Sequence, residues 1–304
     1  MRSAYCLPVD VLRRFDPTLT PSDFESDKYA GSGDMAMLEA EIEDASDEFE
    51  EKTGHAFREV RVGSPGTPET YEQHGVDREK FRHGVKVYLD HRYVLPLNPN
   101  EGDSLEIRVG RHRWRDVTGE EGVRWSADYP TGWIRIHSGF RTPRRWNRET
   151  RDKNVRVSYR YGALGGERDQ GGETVLASDT TASATTIPVE DVSRLPRSGL
   201  VAVGGSEYVR YDSLDYPANE IQATARGVRG TSAADHGAGD RVHYCPTSIR
   251  SAVAAKAAAR LVEKDNFVAD LPTPDDSVSH SDKIESWNGE FEREAARHAE
   301  AHII

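Results

Sequence analysis

The sequence predicts an α+β protein: a helical frame of N-terminal helices plus an alanine-rich helix, two inserted antiparallel β units, and a tethered C-terminal helix. Three observations predict it. The apolar period is helical over residues 34–53, falls to two over residues 56–162 and 174–245, and becomes helical again from Pro246. Gly, Pro and Asn breakers punctuate both β stretches at short intervals. With 36% hydrophobic and 30% charged residues, the chain suits several small cores coated by charge, not one large globule.

The elements follow in order. A short helix is expected near Val9–Phe15 and another after Thr20-Pro21, where proline is tolerated in the first helical turn. Residues 34–53, DMAMLEAEIEDASDEFEEKT, set Leu38, Ile42, Ala45 and Phe49 at helical spacing among acids, with Asp34 as N-cap and Gly54 as a left-handed stop. VKVYLDHRYV, SLEIRVG, GVRWSA, GWIRIHS and NVRVSYRYG then read as strands of a sandwich or barrel. A glycine-rich hinge, GALGGERDQGG, separates them from a second set: ETVLA, TTIPV, GLVAVGG, SEYVRYDSL, NEIQATARG and DRVHY.

Past Pro246, TSIRSAVAAKAAARLVEKDN carries Ile249, Val253, Ala257 and Leu261 on one stripe, capped by Thr247 or Ser248. Its alanines let another backbone come close, so it is expected between helices, with the 34–53 helix as partner. A Pro/Asp/Ser linker leads to DKIESWNGEFEREAARHAEAHII, where Ile284, Trp287, Phe291 and Ala295 share a face and Asp282 with Glu285 fits a capping box. Gly289 weakens that helix by about 1 kcal/mol relative to alanine. The domain boundaries expected are 1–60 and 246–269 for the two parts of the helical core, 61–165 for the β sandwich or barrel, 173–245 for the small β module, and 270–304 for the linker and docking helix.

Net charge is −12, with eight Lys against thirty-two Arg. An acidic coat stays hydrated in concentrated salt, and Arg carries a weakly hydrated, fork-shaped charge, so the composition suits a saline environment. The acid surplus argues against general nucleic-acid binding. Cys6 and Cys245 stand apart from each other and from any ligand-spaced His, which signals neither a disulfide framework nor zinc. No signal peptide or membrane span is expected.

Candidate sites are few. ATARGVRGTSAADHGAGDRVHY, residues 223–244, holds Arg-Gly pairs and an Asp235-His236 step, but its glycines and short polar residues are spaced as turns require. Arg226 and Arg229 are expected to face acids on neighbouring strands, with phosphate contact as the alternative. RTPRRWNRETRDKN, residues 141–154, is strongly basic; a salt-bridged hairpin loop and a contact with DNA or a neighbouring subunit both fit it. No G-x-S-x-G, Walker loop or H-E-x-x-H is present, and the histidines lack common spacing. The expectation is therefore no enzyme, no cofactor and no metal site.

Residues 38–60, LEAEIEDASDEFEEKTGHAFREV, resemble the amphipathic helix and its Thr-Gly-x-x-Phe exit in head-to-tail connector (adaptor) proteins of tailed viruses. Residues 248–266 resemble that family's second main helix. VKVYLDHRYVLPL, GWIRIHS and VRVSYRYG are similar to a β unit of viral neck proteins. TTASATTIPVEDVSRLP, GLVAVGGSEYVRYDSL and ARGVRGTSAADHGAGDRV resemble a β module of viral tail and baseplate proteins. With the salt-adapted composition, the resemblance implies a virus of salt-loving archaea.

The resemblance implies a ring in the virion neck, twelve-fold, assembled in the host cytoplasm and joining the portal to the next tail or neck protein while DNA passes through. The interface residues expected on this basis are Leu38, Ile42, Phe49, Ile249, Val253 and Leu261 of the frame, Ile284, Trp287 and Phe291 of the docking helix, and Arg144 and Arg145 of the basic loop. The alternative is a tail-associated carbohydrate or host-surface binder using Trp114, Trp125, Tyr129 and Trp133 as a stacking platform.

Overall fold

The computed structural model describes residues 4–21, 35–64, 68–71, 85–110, 113–119, 124–137, 155–165, 170–264 and 280–300. It is α+β, with helices α1 (Pro8–Phe15), α2 (Met35–Thr53), α3 (Thr247–Glu263) and α4 (His280–Glu300) and three antiparallel sheets among the described residues. The chain forms two compact units. One comprises residues 1–58 and 163–304, the other residues 59–162.

In the first unit, α3 is the centre. Ala252, Ala254, Ala255, Ala257, Ala258 and Ala259 are all buried, because small side chains let α1, α2 and α4 pack around the helix closely. An aromatic cluster fills the remaining space: Phe49 meets Phe291 edge-on at 5.7 Å, Phe15 meets Trp287 at 5.5 Å, and Tyr5 meets Phe49 at 6.3 Å. Gly54 ends α2 at φ +73°, its N–H donating to the Glu50 carbonyl. Asp34, the expected N-cap, lies outside the described residues, as does the expected helix beyond Pro21.

The β module belongs to this same unit. Its six strands, β9 (Gly172–Val175), β10 (Thr186–Pro188), β11 (Gly199–Val203), β12 (Glu207–Asp215), β13 (Glu220–Ala225) and β14 (Arg241–Tyr244), pair in the order β10-β13-β12-β11-β14-β9. One core of Ile187, Val201, Val209, Tyr211, Ile221 and Val242 holds the sheet together. A second, smaller cluster sets Tyr208 of β12 against Val9 of α1 and Leu7 just before it. Through that contact the module packs against the helical frame within one unit. At the expected hinge, Gly171 passes so close to the Phe57 carbonyl oxygen that an added Cβ would lie 1.8 Å from it. Residues 166–169 of the hinge lie outside the described residues.

The second unit contains β1 (Val60–Val62), β2 (Glu69–Tyr71), β3 (Val85–Tyr88), β4 (Ser104–Gly110), β5 (Arg113–Asp116), β6 (Trp125–Asp128), β7 (Trp133–Ile136) and β8 (Val155–Tyr161). A five-stranded sheet runs β1-β8-β4-β5 with β2 also on β8, and a three-stranded sheet runs β3-β7-β6. Leu105, Ile107, Val155, Val157 and Tyr159 supply its interior, as the period-two pattern requires. Buried Arg160 on β8 meets the carboxylates of Asp103 at 3.0 Å, Glu59 at 3.3 Å and Glu101, which fastens the 98–103 turn to the sheet.

Candidate functional site

α2 and α3 meet along a charged seam. Arg260 lies 2.8 Å from Glu48 and 3.3 Å from Asp44, Lys256 lies 3.3 Å from Glu48, and Lys264 pairs with Glu41. Beside the seam, Asp44, Asp47, Glu48 and Glu51 line a hollow of about 740 Å³ with Lys52 and Arg260. Lys256 and Arg58 also pair with Glu48 and Asp47 of this group, while exposed Glu39 and Glu43 carry the acidic face of α2 beyond it. Such a face attracts cationic surfaces and repels phosphate.

Most of the apolar residues expected at interfaces are covered within the chain itself. Leu38, Ile42, Phe49, Ile249, Val253 and Leu261 are interior residues of their own chain, each no more than 1% exposed. Trp287 and Phe291 are buried too, and Ile284 is half-buried. Within the chain, α4 lies on α2 and α3, Phe291 inserts against Phe49, and Lys52 bonds Glu292 at 2.8 Å. An amphipathic stripe demands a cover without specifying whose, and here the same chain supplies it. Arg144, Arg145 and the whole basic loop 141–154 lie outside the described residues.

The 223–244 stretch turns out to be built around one buried carboxylate. Arg226 reaches both oxygens of Glu207, at 2.6 and 2.8 Å, and spends its other N–H groups on the carbonyls of Thr181, Ala184 and Ala234. The backbone N–H groups of Gly227 and Ala234 also donate to Glu207, and His236 Nε2 sits 3.0 Å from it. Burial alone would raise the Glu207 pKa. The Arg226, backbone and His236 hydrogen bonds override that and hold it below the usual value. Arg226 thus closes a turn, with its donors consumed by the protein.

Arg229 faces a different acid. Its Nη2 lies 3.2 Å from Asp10 Oδ1 of α1, and its backbone is left-handed at φ 56°. The other Asp10 oxygen accepts from the Leu7 N–H and the Tyr208 hydroxyl. Against Asp10 lie Arg13 and Arg14 on the same face of α1, and Thr247, Arg250, Ser251 and Ala254 on the facing side of α3. These groups enclose a recess of about 220 Å³ that sequence spacing does not reveal.

The aromatic residues of the alternative reading have partners of their own. Trp114 on β5 has the Arg156 guanidinium 4.2 Å from its ring centre, and Trp133 on β7 has Lys86 Nζ at 4.2 Å. Trp125 donates its indole N–H to the Thr118 carbonyl at 3.2 Å, and Tyr129 is half-buried. Cys6 and Cys245 are buried free thiols, and burial pushes both pKa values up, which leaves them poor nucleophiles. Among the described residues no group of three or more His, Cys, Asp or Glu could hold a metal ion, and no helix is long and apolar enough to cross a membrane. Compared with protein families, characterised proteins and solved structures, the chain matches none.

Proposed function

We propose that the chain is a structural adaptor of a tailed virion's neck, a ring-forming protein that joins the portal to the next tail or neck protein and lets DNA pass. The observation that carries the reading is the frame itself. α2 and α3 come from opposite sides of the sequence, zip together along their charged seam, and carry both β units as insertions between them. The helices that form this frame fall largely within residues 38–60 and 248–266, the segments that resemble the two main helices of connectors.

With the apolar stripes used internally, contacts between copies fall to charged exterior faces. The acidic face of α2 suits a basic surface on a neighbour or on the portal, and contacts of this kind suit assembly in concentrated salt only when they are many and close. A net charge of −12 also favours DNA sliding past the ring over DNA sticking to it. The twelve-fold symmetry, the portal partner and the virion location belong to this proposal.

The test is assembly. Light scattering and negative-stain microscopy of the purified chain in molar KCl, alone and mixed with the portal of the same virion, should show rings whose copy number matches the portal. Glu43→Lys with Glu51→Lys should weaken ring formation while leaving the circular dichroism spectrum unchanged. A chain that stays monomeric at every concentration with the portal present overturns the reading.

A further inference from the structure

We infer that the recess between α1, α3 and the 227–232 turn is a binding site for a phosphate group. It does not rest on the adaptor reading. Four guanidinium groups, those of Arg13, Arg14, Arg229 and Arg250, line the recess together with Asp10 and Thr247. Two of them are neutralised: Arg14 forms a two-pronged pair with Glu290 at 2.8 and 2.9 Å, and Arg229 pairs with Asp10. Arg13 and Arg250 make no ion pair among the described residues. Four positive charges against two carboxylates leave an excess of two, in a chain whose net charge is −12.

The state of those two arginines points to a ligand. Arg250 is 5% exposed; among the described residues its guanidinium makes one hydrogen bond, a long one of 3.5 Å to the Thr247 hydroxyl, and lies 5.3 Å from the Tyr208 ring centre. A buried cation without a carboxylate is a costly arrangement that a bound dianion relieves. Arg13 Nε is buried and has no hydrogen-bond partner among the described residues. Native structures rarely leave such a donor unused, so an occupant that accepts from it is the economical explanation. Guanidinium groups match phosphate oxygens in pairs.

Backbone features favour the same ligand. The N-terminus of α3 opens at Thr247 without a side-chain cap, so its positive end adds to the field in the recess. Arg229 is held in a left-handed conformation rare for a non-glycine residue, and strain of this type concentrates where side chains are aimed at ligands. Next to it, Gly230 at φ +76° lets Arg13 close in: an added Cβ would lie 2.7 Å from Arg13 Nη2.

Size narrows the class. A recess of about 220 Å³ is below the ordinary range of small-molecule pockets, roughly 300–1,000 Å³, and takes a phosphate and little else. Arg229, Thr247 and Arg250 also border an adjoining hollow of about 480 Å³, lined by Tyr211, Tyr244 and Arg210. A phosphate monoester would place its phosphate among the arginines and its organic part in that second hollow.

The experiment is thermal unfolding and titration calorimetry of the full chain in molar KCl with inorganic phosphate, and separately with a nucleoside 5′-monophosphate, against chloride at matched ionic strength. Saturable stabilisation by phosphate is expected. Tighter binding of the monoester assigns the source to a phosphoester, and equal or weaker binding assigns it to the free ion. Arg250→Gln and Arg13→Gln should each weaken binding at least tenfold. Should Arg250→Gln fail to fold, half-exposed Arg13→Gln carries the test, with circular dichroism confirming its fold. Binding of both probes no stronger than chloride, or binding unchanged in a folded Arg13→Gln variant, overturns the inference.

Discussion

In the β module, Arg226 and His236 converge on a fully buried Glu207, and every oxygen and N–H of the pair has a partner within the fold. Along the α2–α3 seam the same chemistry lies in the open: Asp44 and Lys264 side chains are 65% and 56% exposed, and Arg260 divides its guanidinium among several acids. The buried network fixes a single turn geometry because removing one member strands the others. The seam tolerates loss because water and salt replace any missing partner.

The largest expected effect is therefore Glu207→Ala. It leaves Arg226 and His236 buried without a carboxylate and should destabilise the first unit by about 3–5 kcal/mol, measured by urea unfolding. Next comes pH. Because the folded Glu207 pKa lies below its unfolded value of about 4.3, its contribution is fully present above that value and is lost as pH falls through the folded value. Acid unfolding of the wild type should thus steepen below pH ~4, and Glu207→Gln should flatten that limb.

Gly230→Ala probes the same loop through its backbone. A left-handed alanine costs roughly 1–2 kcal/mol, and its Cβ also presses on Arg13. A smaller loss measured by thermal unfolding would mean that the turn relaxes and is less fixed by Glu207 than the comparison requires. The smallest effect belongs to the seam. Arg260→Ala should cost at most about 1 kcal/mol at low salt and almost nothing in molar KCl. A seam that weakened more than the Glu207 network would reverse the comparison.

Much of the fold was legible in the sequence. α2 and α3 were placed to within a few residues because their apolar stripes have an unambiguous 3.6-residue period, and each of the six strands of the β module lies inside a named run or overruns it by one residue at one end. Strands β1, β2 and β5 were missed for physical reasons. Val60–Val62 and Glu69–Tyr71 are too short to show a period, and Arg113–Asp116, RWRD, reads as polar loop. The packing of α4 on its own chain was not legible because Trp287 and Phe291 show only that a cover exists, and the linker before them suggested one outside the chain. Arg58, wholly buried between Glu50 and Asp47 and lying over the Tyr5 ring, gave no signal at all.

The arginine recess was illegible for a related reason. Its members stand at positions 13, 14, 229 and 250, so no spacing rule unites them, and α1 and α3 bring them together only after folding. One signal was present: Arg250 interrupts an otherwise alanine-rich helix, and a cation on the covered side of such a helix asks for an anion.

The placement of α4 also dictates an order of events during synthesis. Phe49 and Phe15 complete their surroundings only with Phe291 and Trp287, which leave the ribosome more than two hundred residues later. Until then the nascent chain carries bare aromatic surface on its earliest helices, a state prone to sticking and slow to resolve. Closure of this core thus waits on α4, and a ribosome stalled before residue 287 would release a species fit for a chaperone or a protease.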